Sequence, residues 1–186
     1  MNHFNPLLRK SLVIILIVCF LGVLTLVFLT FLRPKTSGNS DSKTIPHNIS
    51  KVWTAVFDKK NYLQSKKEII KYNIYDTIVP RWTEYYGAND SQNNKAVLVQ
   101  KNSRFHYVTW SYRYEQIVGY KIKLDSIQPD QTLVTITEKP LYYNTWANIY
   151  FNILKPKATI QYEFLKVQNT IQYMDSVLKS NKLELQ

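Results

Sequence analysis

Two acidic residues, Glu84 and Glu138, are the candidates in this sequence for acid–base chemistry. Each lies beside apolar neighbours in a segment that alternates like a β-strand. If both faced a common interior, one carboxyl group could donate a proton while the other accepted one, or the pair could hold a ligand hydroxyl. Strand alternation alone does not decide which face they occupy. Ion pairing with Arg81, Arg104 or Arg113 would explain the same residues without catalysis.

Other familiar catalytic and metal-binding patterns are missing from the sequence. His47 and His106 are the only histidines beyond residue 32, and we expect them in separate parts of the fold with structural or surface roles. Cys19, the single cysteine, lies in a hydrophobic run, so no thiol nucleophile, disulfide or zinc-binding cluster is predicted. The sequence predicts no metal site and no cofactor. A glycine-rich phosphate loop is excluded because the glycines are scattered, at Gly22, Gly38, Gly87 and Gly119.

A set of aromatic residues suggests a binding site of another kind. All four Trp and all fourteen Tyr residues lie beyond residue 32. Ligand pockets are mostly apolar with a few placed hydroxyl groups, and Trp and Tyr side chains supply both. A core filled by the same bulky side chains is an equally good interpretation. The candidates for lining a pocket are Trp82, Tyr107, Trp110, Tyr112, Tyr120, Tyr162 and Tyr173.

The first 32 residues differ sharply from the rest of the chain. Residues 1–10 form a basic tail, and residues 11–32 contain no charged side chain. As a helix this run would be about 33 Å long, enough to cross a hydrocarbon core of about 30 Å. It is longer than the apolar stretch of about 7 to 15 residues in a cleaved signal peptide, so we expect an uncleaved, single-pass anchor in the cell membrane. Lys and Arg residues are nearly equally dense on the two flanks of this run, so the positive-inside rule does not decide its orientation. The basic tail before the run favours a domain on the outer, periplasmic or extracellular side.

The part of the chain after the membrane segment is strongly basic. It carries 22 of the 24 Lys and Arg residues and all 13 acids, a formal charge of +9. Such a surface attracts anions, and for a domain tethered to a bilayer the nearest anions are lipid headgroups. Scattered lysines that only keep the domain soluble are the simpler explanation. No RNA-binding signature interleaves these basic residues with aromatics, so nucleic acid is not a predicted partner.

Beyond residue 43 the pattern predicts an antiparallel meander that ends in one long helix. Residues 33–43 are short and polar and are predicted to be a linker. Asn48 or Ser50 is placed to cap a first helix that ends near Phe57. Strands are predicted over 68–76, 79–86, 95–100, 105–110, 118–124 and 132–138. Beyond Pro156 the spacing predicts a helix of about six turns that exposes Lys166 and Gln172 and buries Ile160, Phe164, Val167, Ile171, Met174 and Leu178.

Several short motifs follow one another in a recognisable order. The first are Ile45-Pro46, Val52-Trp53 and Phe57-Asp58, then Trp82-Thr83-Glu84. The closing motifs are Lys121-Ile122-Lys123-Leu124, Pro129, the TLVTITE stretch at 132–138, and Tyr143-Asn144. In this order they resemble the START-like superfamily known as SRPBCC, the polyketide cyclase/dehydrase and lipid-transport group. The resemblance covers about residues 44–180, and some bacterial members are similar in carrying one N-terminal membrane helix.

The resemblance implies an α+β helix-grip fold, in which a curved antiparallel sheet surrounds the long C-terminal helix. It assigns residues 44–182 to one START-like domain. It implies an apolar cavity between the sheet and that helix for a lipid, sterol, polyketide or similar molecule. It implies no particular reaction, because the group includes binding proteins, carriers, cyclases and members with no known ligand.

The anchor and the resemblance together predict a membrane-anchored domain that binds an apolar or lipid-like small molecule. The anchor would hold the cavity next to a source of such ligands. Two alternatives stay open. One is an enzyme of the cyclase or dehydratase type that uses Glu84 with Glu138 or a tyrosine. The other is an interaction or scaffold domain whose cavity is vestigial.

Overall fold

The computed structural model describes residues 6–32, 38–111, 116–142 and 158–183. The helices in these ranges are α1 (Pro6–Leu32), α2 (Ile49–Phe57), α3 (Lys59–Gln64) and α4 (Ala158–Leu183). The strands are β1 (Asn39–Ile45), β2 (Lys71–Asp76), β3 (Arg81–Gly87), β4 (Asp90–Gln100), β5 (Arg104–Ser111), β6 (Gln116–Gln128) and β7 (Gln131–Tyr142). Three predicted features lie outside the described residues: Tyr112, Arg113 and the motif Tyr143-Asn144.

Helix α1 is long and apolar enough to cross a bilayer. Its 27 residues extend about 40 Å at a rise of about 1.5 Å per residue. The segment Lys10–Phe28 has a mean hydropathy of 3.1, and none of it is buried. Among the described residues this is the one helix with both properties. The predicted apolar helix of membrane-spanning length is therefore present.

One seven-stranded antiparallel sheet forms the body of the domain. The strand order is β1-β7-β6-β5-β4-β3-β2, so the strands from β2 to β7 form consecutive hairpins and β1 adds to the free side of β7. Every second residue of β7 from position 132 to 138 is buried, which is the period of a strand with one face on the core. The buried face of the curved sheet packs against α2 and α4, and α3 lies beside α4. The predicted helix-grip fold is confirmed.

Strand β1 corrects the predicted linker, because the last five residues of that segment belong to the sheet. Ile45 is the one buried side chain of β1, so the sequence shows no apolar alternation there. The strand is held by its backbone ladder with β7 and by hydroxyl contacts. Ser40 Oγ lies 3.0 Å from Thr137 Oγ1, and Ser42 Oγ lies 2.9 Å from Thr135 Oγ1. A polar edge strand of this kind has the composition of a linker.

The segment before the hairpins contains two short helices, of which the sequence predicted only the first. Asn48 caps α2, as expected, and its side chain accepts a hydrogen bond from the backbone N–H of Lys51 at 2.9 Å. Asp58 ends α2 and also caps α3, accepting from the backbone N–H of Lys60 at 3.0 Å. The short, polar α3 has no apolar repeat that would predict it. The turn at Asp58 makes Lys59 the first residue of α3, where its side chain is buried.

Helix α4 presents the predicted apolar face to the sheet, but two of its side chains differ from expectation. Gln172 is exposed, as predicted. Leu178 is 58% exposed rather than buried, because apolar spacing marks a helix face whereas burial also needs an element opposite that face. Lys166 is buried rather than exposed, because it pairs with the carboxylate of Glu163. The residues that pack on the core are Ile160, Phe164, Val167, Ile171 and, at its edge, Met174.

Candidate functional site

Charged and polar side chains are gathered inside the domain, between the sheet and helices α3 and α4. We call them the polar cluster, and each member is at most 9% exposed. Lysine and glutamate are almost never fully buried unless they are paired. Specific partners are therefore expected for each of them. The polar cluster consists of Lys59, Lys66, Glu84, Asn94, Glu163 and Lys166.

Glu84, on the inner face of β3, is the acceptor at the centre of the polar cluster and is fully buried. Burial by itself would raise the pKa of Glu84, but the ammonium of Lys66 at 3.4 Å and several hydrogen bonds outweigh it and hold the pKa below its ordinary value. The carboxylate is therefore ionised at neutral pH. Its other donors are Trp82 Nε1 at 2.7 Å, Asn94 Nδ2 at 3.2 Å, Tyr62 OH at 3.2 Å, and Tyr86 OH.

The register of the sheet brings these donors to Glu84. Trp82 on β3 is paired with Asn94 on β4, and Asn94 is paired with Thr109 on β5. Thr109 Oγ1 donates to Asn94 Oδ1 at 2.7 Å, which turns the amide nitrogen of Asn94 toward Glu84. Three neighbouring strands thus share one hydrogen-bonded network on the buried face of the sheet.

Glu163 supplies a second buried carboxylate, this time from α4. Tyr107 OH donates to its Oε2 at 2.6 Å, and Lys166 Nζ donates to its Oε1 at 2.5 Å. Burial, reinforced by the negative charge of Glu163, raises the pKa of Tyr107 well above its ordinary value. The Tyr107 phenol therefore stays protonated and remains a donor at every pH at which the domain is expected to work.

The amino group of Lys59 is surrounded by aromatic rings. Its Nζ donates to the backbone carbonyl of Val56. Ring faces attract a cation held above them, and they also exclude water from it. The Nζ atom lies 4.5 Å from the ring centroid of Phe105, 4.6 Å from Trp82, 5.2 Å from Tyr62 and 5.8 Å from Tyr107. The lysine side chain thus fills the space among these rings.

Burial lowers the pKa of Lys59 from 10.5 to about 7, because the uncharged amine is favoured away from water. The negative charge of Glu163 opposes this change, and the positive charge of Lys166 adds to it. An amine that exchanges its proton near neutral pH is suited to acid–base work, although buried ion networks without catalysis show the same property. Lys59 can therefore be charged or uncharged under ordinary conditions.

We expect Lys59 to make the stability of the domain depend on pH between about 7 and 10.5. In this window the unfolded chain keeps the Lys59 proton and the folded chain has released it, so the free energy of unfolding rises by up to about 1.4 kcal/mol per pH unit. Lys59→Met should flatten this rise, whereas Lys60→Met, at the exposed neighbour, should keep it. Urea unfolding of the full chain in mild detergent, followed by tryptophan fluorescence, measures the slopes. Equal slopes in wild type and Lys59→Met would contradict the expectation.

Little empty space remains around the polar cluster. The interior cavity beside Lys59, Glu84 and Glu163 has a volume of about 20 Å³, which is room for one water molecule. A groove of about 290 Å³ opens on the surface where the α2–α3 corner meets the β2–β3 hairpin. Lys59 borders both the interior cavity and this groove. The apolar residues that line the groove are Phe57, Ile74 and Pro80.

Comparison with known proteins leads to solved structures alone, since no family model and no curated protein matches this chain. Ara h 8.0201 superposes with a TM-score of 0.57 at 14% identity, over 76% of this chain and 99% of its own. Norcoclaurine synthase from Thalictrum flavum has a TM-score of 0.59 at 10% identity, over 75% of this chain and 86% of its own. The fold is START-like. At this level of identity the likeness establishes the fold and leaves the function open.

A third match, DynU16 from the dynemicin biosynthetic locus, shows how the START-like domain relates to a longer protein. The TM-score is 0.50 at 14% identity, and the match covers 74% of this chain. It covers 47% of DynU16, so this chain spans about half the length of that relative.

The START-like sheet does not bring the two predicted acids together. Glu138 is 2% exposed on the inner face of β7, where it accepts a hydrogen bond from Thr159 Oγ1 at the start of α4. Strand β7 is four strands away from β3, which is about 19 Å measured along the curved sheet at about 4.8 Å per strand. The carboxylate that joins Glu84 in the polar cluster is instead Glu163. The ion-pair partner of Glu84 is Lys66 rather than an arginine.

Three of the predicted aromatic residues meet inside the START-like domain. Trp82 and Tyr107 have ring centroids 5.6 Å apart, and Tyr107 and Tyr120 are stacked at 5.2 Å. Tyr162, on α4, is 41% exposed at the edge of the polar cluster, where its hydroxyl contacts Lys66. The other two are elsewhere: Tyr173 donates to Gln64 at 3.2 Å on an exposed surface, and Trp110 lines a groove of about 560 Å³ on the outer face of the sheet.

The two histidines lie in separate parts of the START-like domain, as expected. His106 lies on the outer face of β5, since Phe105 and Tyr107 on either side of it are buried. His47 follows β1, and its backbone carbonyl accepts from Thr132 Oγ1 at 2.8 Å. Across the described ranges no group of three or more His, Cys, Asp or Glu side chains is arranged to hold a metal ion.

Sequence reasoning missed five members of the polar cluster: Lys59, Lys66, Asn94, Glu163 and Lys166. A signal for Glu163 is present, because it stands at the helical spacing of the buried Ile160 and Val167 and therefore on the same face of α4. The lysines carry no such signal. Lys66 pairs with Glu84, 18 residues away, and Lys59 lies among rings such as Phe105 that are distant in the chain, whereas Lys166 pairs with Glu163 one helical turn before it.

Proposed function

We propose that this chain is a membrane-anchored START-like domain of the SRPBCC type that binds a small, largely apolar molecule through the groove beside Lys59. Helix α1 would be the single-pass anchor, with the basic tail on the inner side of the cell membrane and the domain on the outer side. One observation carries the proposal: Lys59 borders both the surface groove and the interior cavity. The side chain therefore stands between a place where a ligand can enter and a place where it can be held.

The groove limits the size and chemistry of the ligand. Its volume of about 290 Å³ lies at the lower end of the range of about 300 to 1,000 Å³ that is usual for ligand sites. The walls formed by Phe57, Ile74 and Pro80 favour an apolar body, and Asp58 and Lys59 offer polar contacts at one side. A complete lipid is too large for this volume. We therefore propose a compact small molecule, or one end of a longer one.

Movement of Lys59 would extend the site from the groove into the interior. The interior holds only about one water because this side chain occupies the space among the rings. The uncharged amine is attracted by the rings less than the ammonium, so the side chain should leave most easily above about pH 7. A ligand in its place would contact Trp82 and Tyr107, two of the residues predicted from the sequence, and could hydrogen-bond to Glu163.

Native mass spectrometry of the full chain, purified from membranes in mild detergent, tests this proposal. We expect wild type to carry an additional bound mass, with the bound species identified after extraction. Ile74→Trp places a large ring in the groove and should abolish the bound mass. Ile78→Trp is the matched control, because Ile78 is 82% exposed in the β2–β3 turn and does not line the groove.

Two results would contradict the proposal. Wild type without any bound mass would favour the interaction or scaffold domain instead, and a bound mass that survives in Ile74→Trp would place the ligand elsewhere. Circular dichroism of both variants shows whether they retain the fold, so that a loss of binding is assigned to the groove.

A second candidate function is acid–base catalysis on the same ligand. It is favoured by the combination of Lys59, whose pKa is about 7, with the buried carboxylate of Glu163. One neighbour in fold, norcoclaurine synthase, is an enzyme by its name. If this candidate is correct, the bound species should change on incubation with wild type and stay unchanged with Lys59→Met.

A further inference from the structure

We propose that the domain makes a second contact with the bilayer through Leu141 and Tyr142, at the end of the sheet where β1 begins and β7 ends. We call this the anchor end of the sheet. The inference rests on the proposed membrane anchoring by α1, and it adds an interaction surface on the folded domain itself. Its occupant is a lipid surface with anionic headgroups.

The tether between α1 and β1 keeps the anchor end close to the membrane. Helix α1 ends at Leu32 and β1 begins at Asn39. The connection spans at most about 24 Å even when it is fully extended, at about 3.5 Å per residue. Asn39 is paired with Glu138 of β7, and β7 continues from there to Tyr142. Leu141 and Tyr142 therefore extend beyond the point at which the tether joins the sheet.

The side chains at the anchor end have the chemistry of a membrane interface. Leu141 and Tyr142 are each 54% exposed, and Ile70, at the opposite edge of the same end, is 75% exposed. Lys139 and Lys71 are exposed beside them. Aliphatic and tyrosine side chains at the headgroup level, flanked by lysines, are typical of segments that lie in a bilayer interface.

Exposed apolar residues also occur at the other end of the sheet. Exposure alone therefore does not show which end would contact the bilayer. Ile78 is 82% exposed and Val79 is 46% exposed in the β2–β3 turn. Strand β3, which connects that turn with the anchor end, has seven residues and is about 20 to 24 Å long. The two ends differ in their distance from α1 along the chain, because the connection from α1 enters the sheet at the start of β1, which is at the anchor end. The far turn is therefore a natural control for the anchor end.

Depth-dependent fluorescence quenching in vesicles tests the inference with the full chain. The vesicles contain equal amounts of phosphatidylcholine and phosphatidylglycerol, with a nitroxide-labelled lipid as the quencher. Wild type is labelled with bimane at Cys19, its single cysteine, which lies within α1. In a Cys19→Ser background, Tyr142→Cys and Ile78→Cys carry the same label at the two ends of the sheet. We expect strong loss of emission at positions 19 and 142, and emission close to the quencher-free value at position 78.

The three labelled positions distinguish two negative results: the absence of the second contact, and the absence of the membrane anchor itself. Quenching at position 19 without quenching at 142 would overturn the second contact and leave the anchor intact. Equal quenching at 78 and 142 would also overturn it, because the domain would then have no preferred end. No quenching at position 19 would remove the anchor and, with it, the second contact. Leu141→Cys against Val79→Cys repeats the comparison at neighbouring positions, in case one substitution disturbs the fold.

Discussion

Replacing Glu84 with alanine is expected to lower the free energy of unfolding by about 3 to 5 kcal/mol, the usual cost of removing one partner from a buried ion pair. The substitution leaves the ammonium of Lys66 buried without its carboxylate at 3.4 Å. It also removes the acceptor for the side chains of Trp82, Tyr62 and Asn94. Urea unfolding of the full chain in mild detergent measures the loss. All four Trp residues lie beyond α1, so their fluorescence reports on the domain.

An exposed ion pair of the same domain is the control for Glu84→Ala. Asp125 lies 2.9 Å from Lys123, and the two side chains are 42% and 51% exposed. Because water screens such pairs, Asp125→Ala should change the free energy of unfolding by less than about 1 kcal/mol. Adding Lys66→Met to Glu84→Ala should recover part of the stability, since it removes a buried ammonium whose remaining carboxylate, that of Glu68, is 4.0 Å away and exposed. Similar losses for Glu84→Ala and Asp125→Ala would mean that Glu84 is not the buried centre of the polar cluster.

Phe164→Ala is the second substitution from which a large effect is expected. Phe164 is 2% exposed on the face of α4 that packs on the sheet, and truncation of a buried phenylalanine costs about 3 to 5 kcal/mol. Leu165, the next residue, is 48% exposed, so Leu165→Ala should lie within about 0.5 kcal/mol of wild type. The same unfolding experiment compares the two. Equal losses would show that the sheet does not grip α4 through this face.

The apolar pattern of the sequence predicted the antiparallel meander and the long last helix, and the resemblance to the START-like superfamily supplied the helix-grip arrangement of the two. Residues 104–111 of β5, 118–124 of β6 and 132–138 of β7 alternate between buried and outward positions, and the face of α4 around Phe164 and Ile171 has regular helical spacing. The pattern failed where apolar residues are sparse. Strand β1 and the first residues of β4, which begins at Asp90 rather than 95, are polar and are held in the sheet by backbone pairing.

The candidate site was predicted only in part, for a different physical reason. Glu84 and Trp82 were identified because they stand in a recognisable strand, and both are buried as inward-facing residues. The burial of Lys66 depends on Glu84, 18 residues later in the chain. The hydrogen bond between Tyr107 and Glu163 spans 56 residues. A single sequence does not reveal such pairs, because each lysine or glutamate by itself resembles an ordinary surface residue.

Strand β1 connects the side of the chain that carries α1 to the sheet, and it also covers the free edge of β7. The backbone just before β1 lies in close contact with β7, since a Cβ atom on Gly38 would lie 2.3 Å from the carbonyl oxygen of Glu138. Without β1, the 12 residues of β7 would present a long row of unpaired backbone groups beside alternating Thr, Val and Ile side chains. Exposed strands of this kind are templates for aggregation. We therefore expect that a protease cut within β1 would not release a monomeric domain. The released fragments would associate through the exposed edge of β7.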